Sequence, residues 1–176
     1  LEFEETVPVT VLSRQQYLAN RSGGGGRNDS YNLWNNQVLE GLFIVGEQTD
    51  TASSFNSTLG ASVQGYYSPG RDAIVIVSDS ATPTIDRATL AHELVHALQD
   101  QHFDLGPGRD TQDGQLAARG VVEGDANYVE ARYQERCGGE WQCIPKPERT
   151  GGGDAPADYN RGLFLTIFQP YATGPD

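Results

Sequence analysis

The sequence predicts a single α+β domain, and three observations carry that reading. Val7 to Leu12 alternates apolar and polar residues, the period-2 pattern of a strand. Ser62 to Tyr67 and Ala73 to Ser78 are β-rich runs on either side of Ser68-Pro-Gly-Arg-Asp72, whose Pro-Gly pair favours a tight turn and hence a hairpin. Elsewhere apolar residues recur at helical spacing over runs long enough to build a core. The chain has 176 residues, enough for one domain that buries roughly 68–70% of its unfolded surface but not for two independent cores.

Taken in order, Ser13-Arg-Gln-Gln16 has the capping-box spacing that turns the first strand into a short helix. Residues 21–30, which include four consecutive glycines, read as a flexible loop. Leu33, Trp34, Val38, Leu39, Leu42 and Phe43 recur at helical period and predict a core-facing helix from Tyr31 to Val45. After the hairpin, Thr84 is placed to cap a helix with Asp86 in its first turn. The apolar set Leu90, Ala91, Leu94, Val95 and Leu98 then keeps period until Gly106-Pro-Gly108 breaks it. Asp113 is the expected cap of another helix from about Gly114 to Arg136, with Leu116, Val122, Ala126, Val129 and Tyr133 along its apolar side. Residues 150–155 read as a second flexible loop, and Pro156 to Phe168 as a last helix.

Charge and length exclude several classes of function. Twenty-four acidic residues against 12 basic ones give a net charge of −12, which repels phosphate backbones and argues against nucleic-acid binding. The longest apolar stretches, such as Ala73 to Val77, fall far short of the roughly 18 residues a spanning helix needs, so no membrane span is expected. Lys146 is the single lysine of the chain. An acidic, lysine-poor surface resembles those of proteins adapted to high salt, where screening relieves self-repulsion. Cys137 and Cys143 flank Gly-Gly-Glu-Trp-Gln, a segment that can fold back to close a disulfide; so short a ring stabilises by about 2.4 kcal/mol on a chain-entropy estimate. That bridge implies an oxidising compartment. Asn20, Asn28 and Asn56 each open an Asn-x-Ser/Thr triplet and add weak support for an exported, extracellular or cell-surface protein. The chain begins at Leu1, without methionine or an apolar leader, and reads as a processed or trimmed chain.

The chemistry is concentrated in His92-Glu93-Leu-Val-His96, an HExxH sequence within the strongest helical pattern. Two histidines four residues apart lie on one face of a helix, about 6 Å apart along its axis, where both can ligate one Zn²⁺. Glu93 stands about 100° round from His92, beside the ion, where it can act as a general base on water. From the 3 histidines of this chain and its glutamate content, chance occurrence of the motif is roughly 0.003 per chain.

Two residues compete for the third ligand. His102 fits the HExxHxxGxxH spacing of the metzincins, but Gln99 stands where their glycine breaks the helix, and the chain has no methionine for a Met-turn. On a continuous helix His102 lies about 9 Å beyond His96 and about 120° round. Glu123 is the rival, in Val122-Glu-Gly-Asp-Ala126 on the following helix, where Gly124 would let the two helices approach closely.

Ala91-His-Glu-Leu-Val-His-Ala-Leu-Gln-Asp-Gln-His-Phe103 together with Val122 to Ala126 resembles the gluzincin metallopeptidases, in particular small exported gluzincin-like proteins of bacteria and salt-loving archaea. Gly65-Tyr-Tyr67 matches the hairpin that precedes the helix in those proteins. The resemblance covers about half the chain, from Gly60 to Arg136. It implies a zincin-like fold, with a small mixed or antiparallel sheet and its hairpin packed on an active-site helix and a glutamate helix. It further implies Zn²⁺ held by His92, His96 and Glu123, with Glu93 as base, and a peptide or protein as substrate. Thermolysin-like gluzincins have an aspartate four residues after the glutamate ligand; here Asn127 occupies that place, where its amide oxygen can orient a histidine. Asp125 falls on the opposite side of the helix and reads as a solvated acid or a cap partner.

A hydrolytic zinc site also needs a donor for the developing oxyanion. Tyr67, Tyr128 and Arg132 are the main candidates, with Tyr66, Tyr133 and Tyr159 behind them. A catalytically silent zinc-binding interaction module is the alternative from another class, because a bound metal also stabilises a fold.

Overall fold

The structure, a computed structural model, describes residues 1–21, 30–47, 49–51, 54, 60, 62–80, 85–105 and 111–137. The expected loops at 21–30 and 150–155, the Thr84 cap, Cys143, Tyr159 and the helix from Pro156 lie outside or largely outside these residues. The elements are β1 (Val9–Ser13), α1 (Arg14–Arg21), α2 (Ser30–Gly41), β2 (Gly65–Ser68), β3 (Ala73–Ser78), α3 (Arg87–Phe103) and α4 (Gln112–Arg136). The fold class is α+β, with a small mixed sheet and four helices among the described residues. Two compact units divide the described chain, one of Leu1–Gln15 with residues 64–137, the other within Gln16–Val63.

In the first unit the strand order is β1-β3-β2. β2 and β3 form the expected hairpin, antiparallel with Tyr66 opposite Val75, and β1 runs parallel to β3 with Val11 opposite Ile76. Pro69–Arg71 makes one 3₁₀ turn of the connection, and Asp72 closes it in the left-handed region at φ 46°. Ile74 and Ile76 on β3 are fully buried and pack with Ala97, Leu90 and Leu94 of α3. An arginine at the end of β1, Arg14, pairs with Asp79 just past β3 at 2.8 Å.

α3 is buried on more than one side. Leu90, Leu94 and Ala97 take the sheet-facing stripe, while His92, His96 and Gln99 are also buried, on the stripe roughly 180° away. Its cap is Asp86 and not a residue further upstream: the carboxylate accepts from the Ala88 and Thr89 amides at 2.9 and 3.3 Å. A carboxylate also complements the positive end of the helix, which a threonine does not. α4, by contrast, starts two residues earlier than the sequence suggests. Thr111 Oγ1 accepts from Gly114 N at 3.1 Å, and Asp113, the expected cap, sits in the first turn. Gly124 and Ala126 on α4 are buried.

The second unit holds α2 and a small cluster of Leu39, Val45 and Ile44. α2 ends at Gly41, four residues short of Val45, because Phe43 takes a left-handed conformation at φ 56°. Phe43 N then reaches Glu40 O and Ile44 N reaches Leu39 O, both at 2.9 Å, the paired bonds of a Schellman ending. Of the set expected to face a core, Leu39 is buried, whereas Leu33, Trp34, Leu42 and Phe43 are exposed. Helical period identifies a face but not what covers it. Among the described residues no helix is long and apolar enough to cross a membrane.

β2 approaches α3 through Gly65. A Cβ added there would stand 2.7 Å from Thr89 Cγ2 and 3.2 Å from Glu93 Cγ, whereas at Gly70 it would meet nothing within 4 Å. Gly65→Ala must therefore push β2 away from α3. The expected loss is about 1–3 kcal/mol in urea unfolding, against less than about 0.5 kcal/mol for Gly70→Ala. Equal effects of the two substitutions would show that this contact is not the constraint.

Candidate metal centre

Both histidines of the HExxH sequence point from α3 toward α4, and Glu123 meets them there. His92 Nε2 lies 3.2 Å from Glu123 Oε2, His96 Nε2 lies 3.4 Å from the same oxygen, and the two Nε2 atoms are 3.1 Å apart. These residues form a group that could hold a metal ion. The edge of a tetrahedron with bonds of 2.0–2.1 Å, the Zn–N and Zn–O lengths, is about 3.3–3.4 Å, so the triangle has the dimensions of three corners of such a site. Glu123, not His102, is brought to the histidine pair.

The outer nitrogens of both rings face acceptors. His96 Nδ1 is 3.1 Å from Gln99 Oε1, and His92 Nδ1 lies 3.2 Å from Glu130 Oε2. The second contact is off the direction of a good hydrogen bond, and this buried nitrogen has no other partner. An acceptor at Nδ1 favours the tautomer whose Nε2 lone pair is free for a metal. Gln99 also bridges the helices, since its amide nitrogen donates to Asp125 Oδ2 at 2.9 Å and to Val122 O at 3.3 Å.

Gln99 and Glu130 are the site residues that the sequence reading missed. The carboxylate nearest His92 Nδ1 is that of Glu130, two turns after Glu123, while Asn127, one turn after Glu123, is half-buried. Asp125 is exposed, as a solvated acid would be, but it also accepts from the Gln99 amide. Helical arithmetic could have found both: Gln99 is three residues after His96, and Glu130 seven after Glu123, each on its neighbour's face.

The remaining candidates lie elsewhere. His102 Nε2 is 2.8 Å from Glu2 O and its Nδ1 is 3.7 Å from Glu4, so it fastens the N-terminal segment to α3. Tyr67 donates its hydroxyl to Asp100 Oδ2 at 2.8 Å; burial, then the neighbouring carboxylates of Asp100 and Asp72, push this phenol well above its usual range. Tyr128 is exposed, and Arg132 pairs with Glu135 at 2.7 Å. Both stand 140–180° or so round α4 from Glu123, facing away from the triad. Neither Tyr128 nor Arg132 is thus directed at the histidines, and Tyr66 and Tyr133 are half-buried. Cys137 ends α4, and its expected bridge involves Cys143, outside the described residues.

Glu93 is buried on the side of α3 that faces β2. Burial raises its carboxyl above the ordinary range; the imidazoles of His96 and His92 and the Tyr67 backbone N–H work in the other direction without cancelling it. Burial pulls His92 down, but the carboxylates of Glu123 and Glu130 outweigh it and hold the ring up at about 9. His96 is raised likewise against its burial, chiefly by Glu123. Burial would raise Glu123, yet its bonds to His92 and His96 lower it to about 2.

These shifts fix a pH window for the metal-free protein. The raised His92 value contributes stability that is present below pH 6.5 and is lost as pH rises through about 9. The depressed Glu123 value contributes stability present above 4.5 and lost as pH falls toward about 2. The melting temperature of chelator-treated protein is therefore expected to decline between pH 6.5 and 9, and His92→Gln to flatten that decline. A wild-type alkaline limb no steeper than the variant's would dismiss the ion pair.

Compared with known proteins, the chain matches no protein-family model, no curated protein and no solved structure.

Proposed function

We propose that this protein is a zinc-dependent endopeptidase of the gluzincin type, with a zincin-like fold. The observation that carries the reading is the buried triangle of His92, His96 and Glu123 ligand atoms, 3.1 to 3.4 Å apart, with Gln99 Oε1 against His96 Nδ1. Three protein ligands leave a fourth position for water or substrate, the arrangement of a catalytic zinc and not of a structural one. When bound, the ion polarises the scissile carbonyl and makes water more acidic.

The chain's own residues supply the rest. Glu93 takes a proton from the attacking water and passes it to the departing amine nitrogen, and a carboxyl lifted by burial is the better base for this. The Tyr67 backbone N–H hydrogen-bonds to Glu93 and orients it. Among the described strands β2 pairs only with β3, at the end of the order β1-β3-β2, and a strand at that place can take an extended peptide by strand addition. The acidic, lysine-poor composition fits an extracellular protein working in high salt, and a Cys137–Cys143 bridge belongs to the same reading.

Glu123→Ala should abolish zinc retention after dialysis, and His102→Ala should leave it intact; Gln99→Ala, which frees His96 Nδ1, should weaken zinc by about 10–100-fold. Metal analysis decides this, and retention by Glu123→Ala with loss in His102→Ala would return the site to the metzincin pattern. Glu93→Gln should keep both zinc and fold yet lose at least about 10²-fold in peptide hydrolysis. A zinc-loaded wild type that cleaves no peptide would make the protein a silent zinc-binding module.

A further inference from the structure

We infer that the groove beside the triad selects substrates bearing a carboxylate, and that Arg119 recognises it; the substrate class rests on the peptidase reading above. The groove, about 1090 Å³, is lined by His96, Gln99 and Glu123 of the site together with Phe103, Arg119 and Val121. A ligand seated there lies against the proposed metal ligands. Arg119 precedes Glu123 by four residues on α4, hence about 6 Å along the axis and about 40° round, on the same face.

Arg119 is the only arginine or lysine lining this groove among the described residues. It is exposed and forms no hydrogen bond or ion pair with a described residue. The acids around it are engaged: Asp125 holds the Gln99 amide, and Glu123 is shared by two imidazoles. Arg132 on the same helix, by contrast, is paired with Glu135. In a chain with twice as many acidic as basic residues, an arginine left without a partner beside the site is available to an external anion. Its planar fork matches a carboxylate, with two parallel hydrogen bonds. Phe103 and Val121, both exposed, offer an apolar wall for the neighbouring residue. The carboxylate can come from an acidic side chain or from a free chain end.

Three dye-labelled heptapeptides separate these sources: one with a single glutamate and an amidated end, its glutamine counterpart with an amidated end, and the same glutamine peptide with a free carboxyl end. Each is measured by cleavage rate and by fluorescence-anisotropy affinity to zinc-loaded protein. Wild type should favour at least one carboxylate-bearing peptide over the amidated glutamine peptide by about tenfold, Arg119→Lys should keep part of the preference, and Arg119→Gln should bring it to about one. Preference for the glutamate peptide alone assigns the side chain, and for the free-ended peptide alone the chain end. A wild type without preference, or a preference that survives Arg119→Gln, overturns the inference; if such a protein still cleaves all three peptides, the peptidase reading stands. Arg119-dependent binding without cleavage sinks the peptidase reading and keeps the carboxylate site, while neither binding nor cleavage sinks both.

Discussion

The seam between α3 and α4 depends on one carboxylate oxygen shared by two imidazoles. Glu123 Oε2 stands within 3.4 Å of both Nε2 atoms, inside a region that also holds Glu93 and Glu130. Three carboxylates so placed would repel one another strongly at reduced dielectric unless cations offset them. Two imidazolium protons can do so, as the raised His92 and lowered Glu123 values express. A divalent ion put in place of those two protons leaves the formal charge of the seam unchanged. On the proposed reading, the ion would therefore enter a seam whose negative charge is already offset.

That seam dictates the burial of α3. A helix whose polar stripe must be enclosed needs its other stripe enclosed as well, and Leu90, Leu94 and Ala97 meet β3 for that purpose. Glu93 sits between the two stripes, under Gly65. A residue with a side chain at position 65 would lift β2 from the helix and carry away the Tyr67 N–H that orients Glu93. The glycine is therefore a requirement of the base as much as of the packing.

How much of this the sequence discloses varies with the kind of signal each residue leaves. The hairpin was legible because Pro69-Gly70 lies between two runs of β-branched and aromatic residues. His92, Glu93 and His96 were legible because i, i+4 spacing on a helix places two rings together regardless of tertiary context. Glu123 needed the resemblance to be chosen over His102. Gln99 and Glu130 left only the weaker trace of sharing a helix face with His96 and Glu123, since a polar residue there reads as solvated until its partner across the seam is known. The exposed Leu33 and Trp34 mark the opposite failure: their period is helical, but helical period says nothing about the neighbour that would bury them. Asp86 was noticed as a first-turn acid and proved to be the cap itself, an offset of the kind expected where helix ends are set by one side-chain bond.

The place of Tyr67, an oxyanion candidate, follows from the same geometry. Tyr67 belongs to the strand beside Glu93, yet its hydroxyl is committed to Asp100 one turn beyond His96. Burial, and then the carboxylates of Asp100 and Asp72, make that proton hard to remove. Tyr67 therefore braces β2 against α3 through its side chain and orients Glu93 through its backbone, two structural tasks performed by one residue. On the proposed reading, selectivity would then reside in the groove walls and in Arg119 more than in the triad, because the groove and not the triad carries the arginine and the apolar wall.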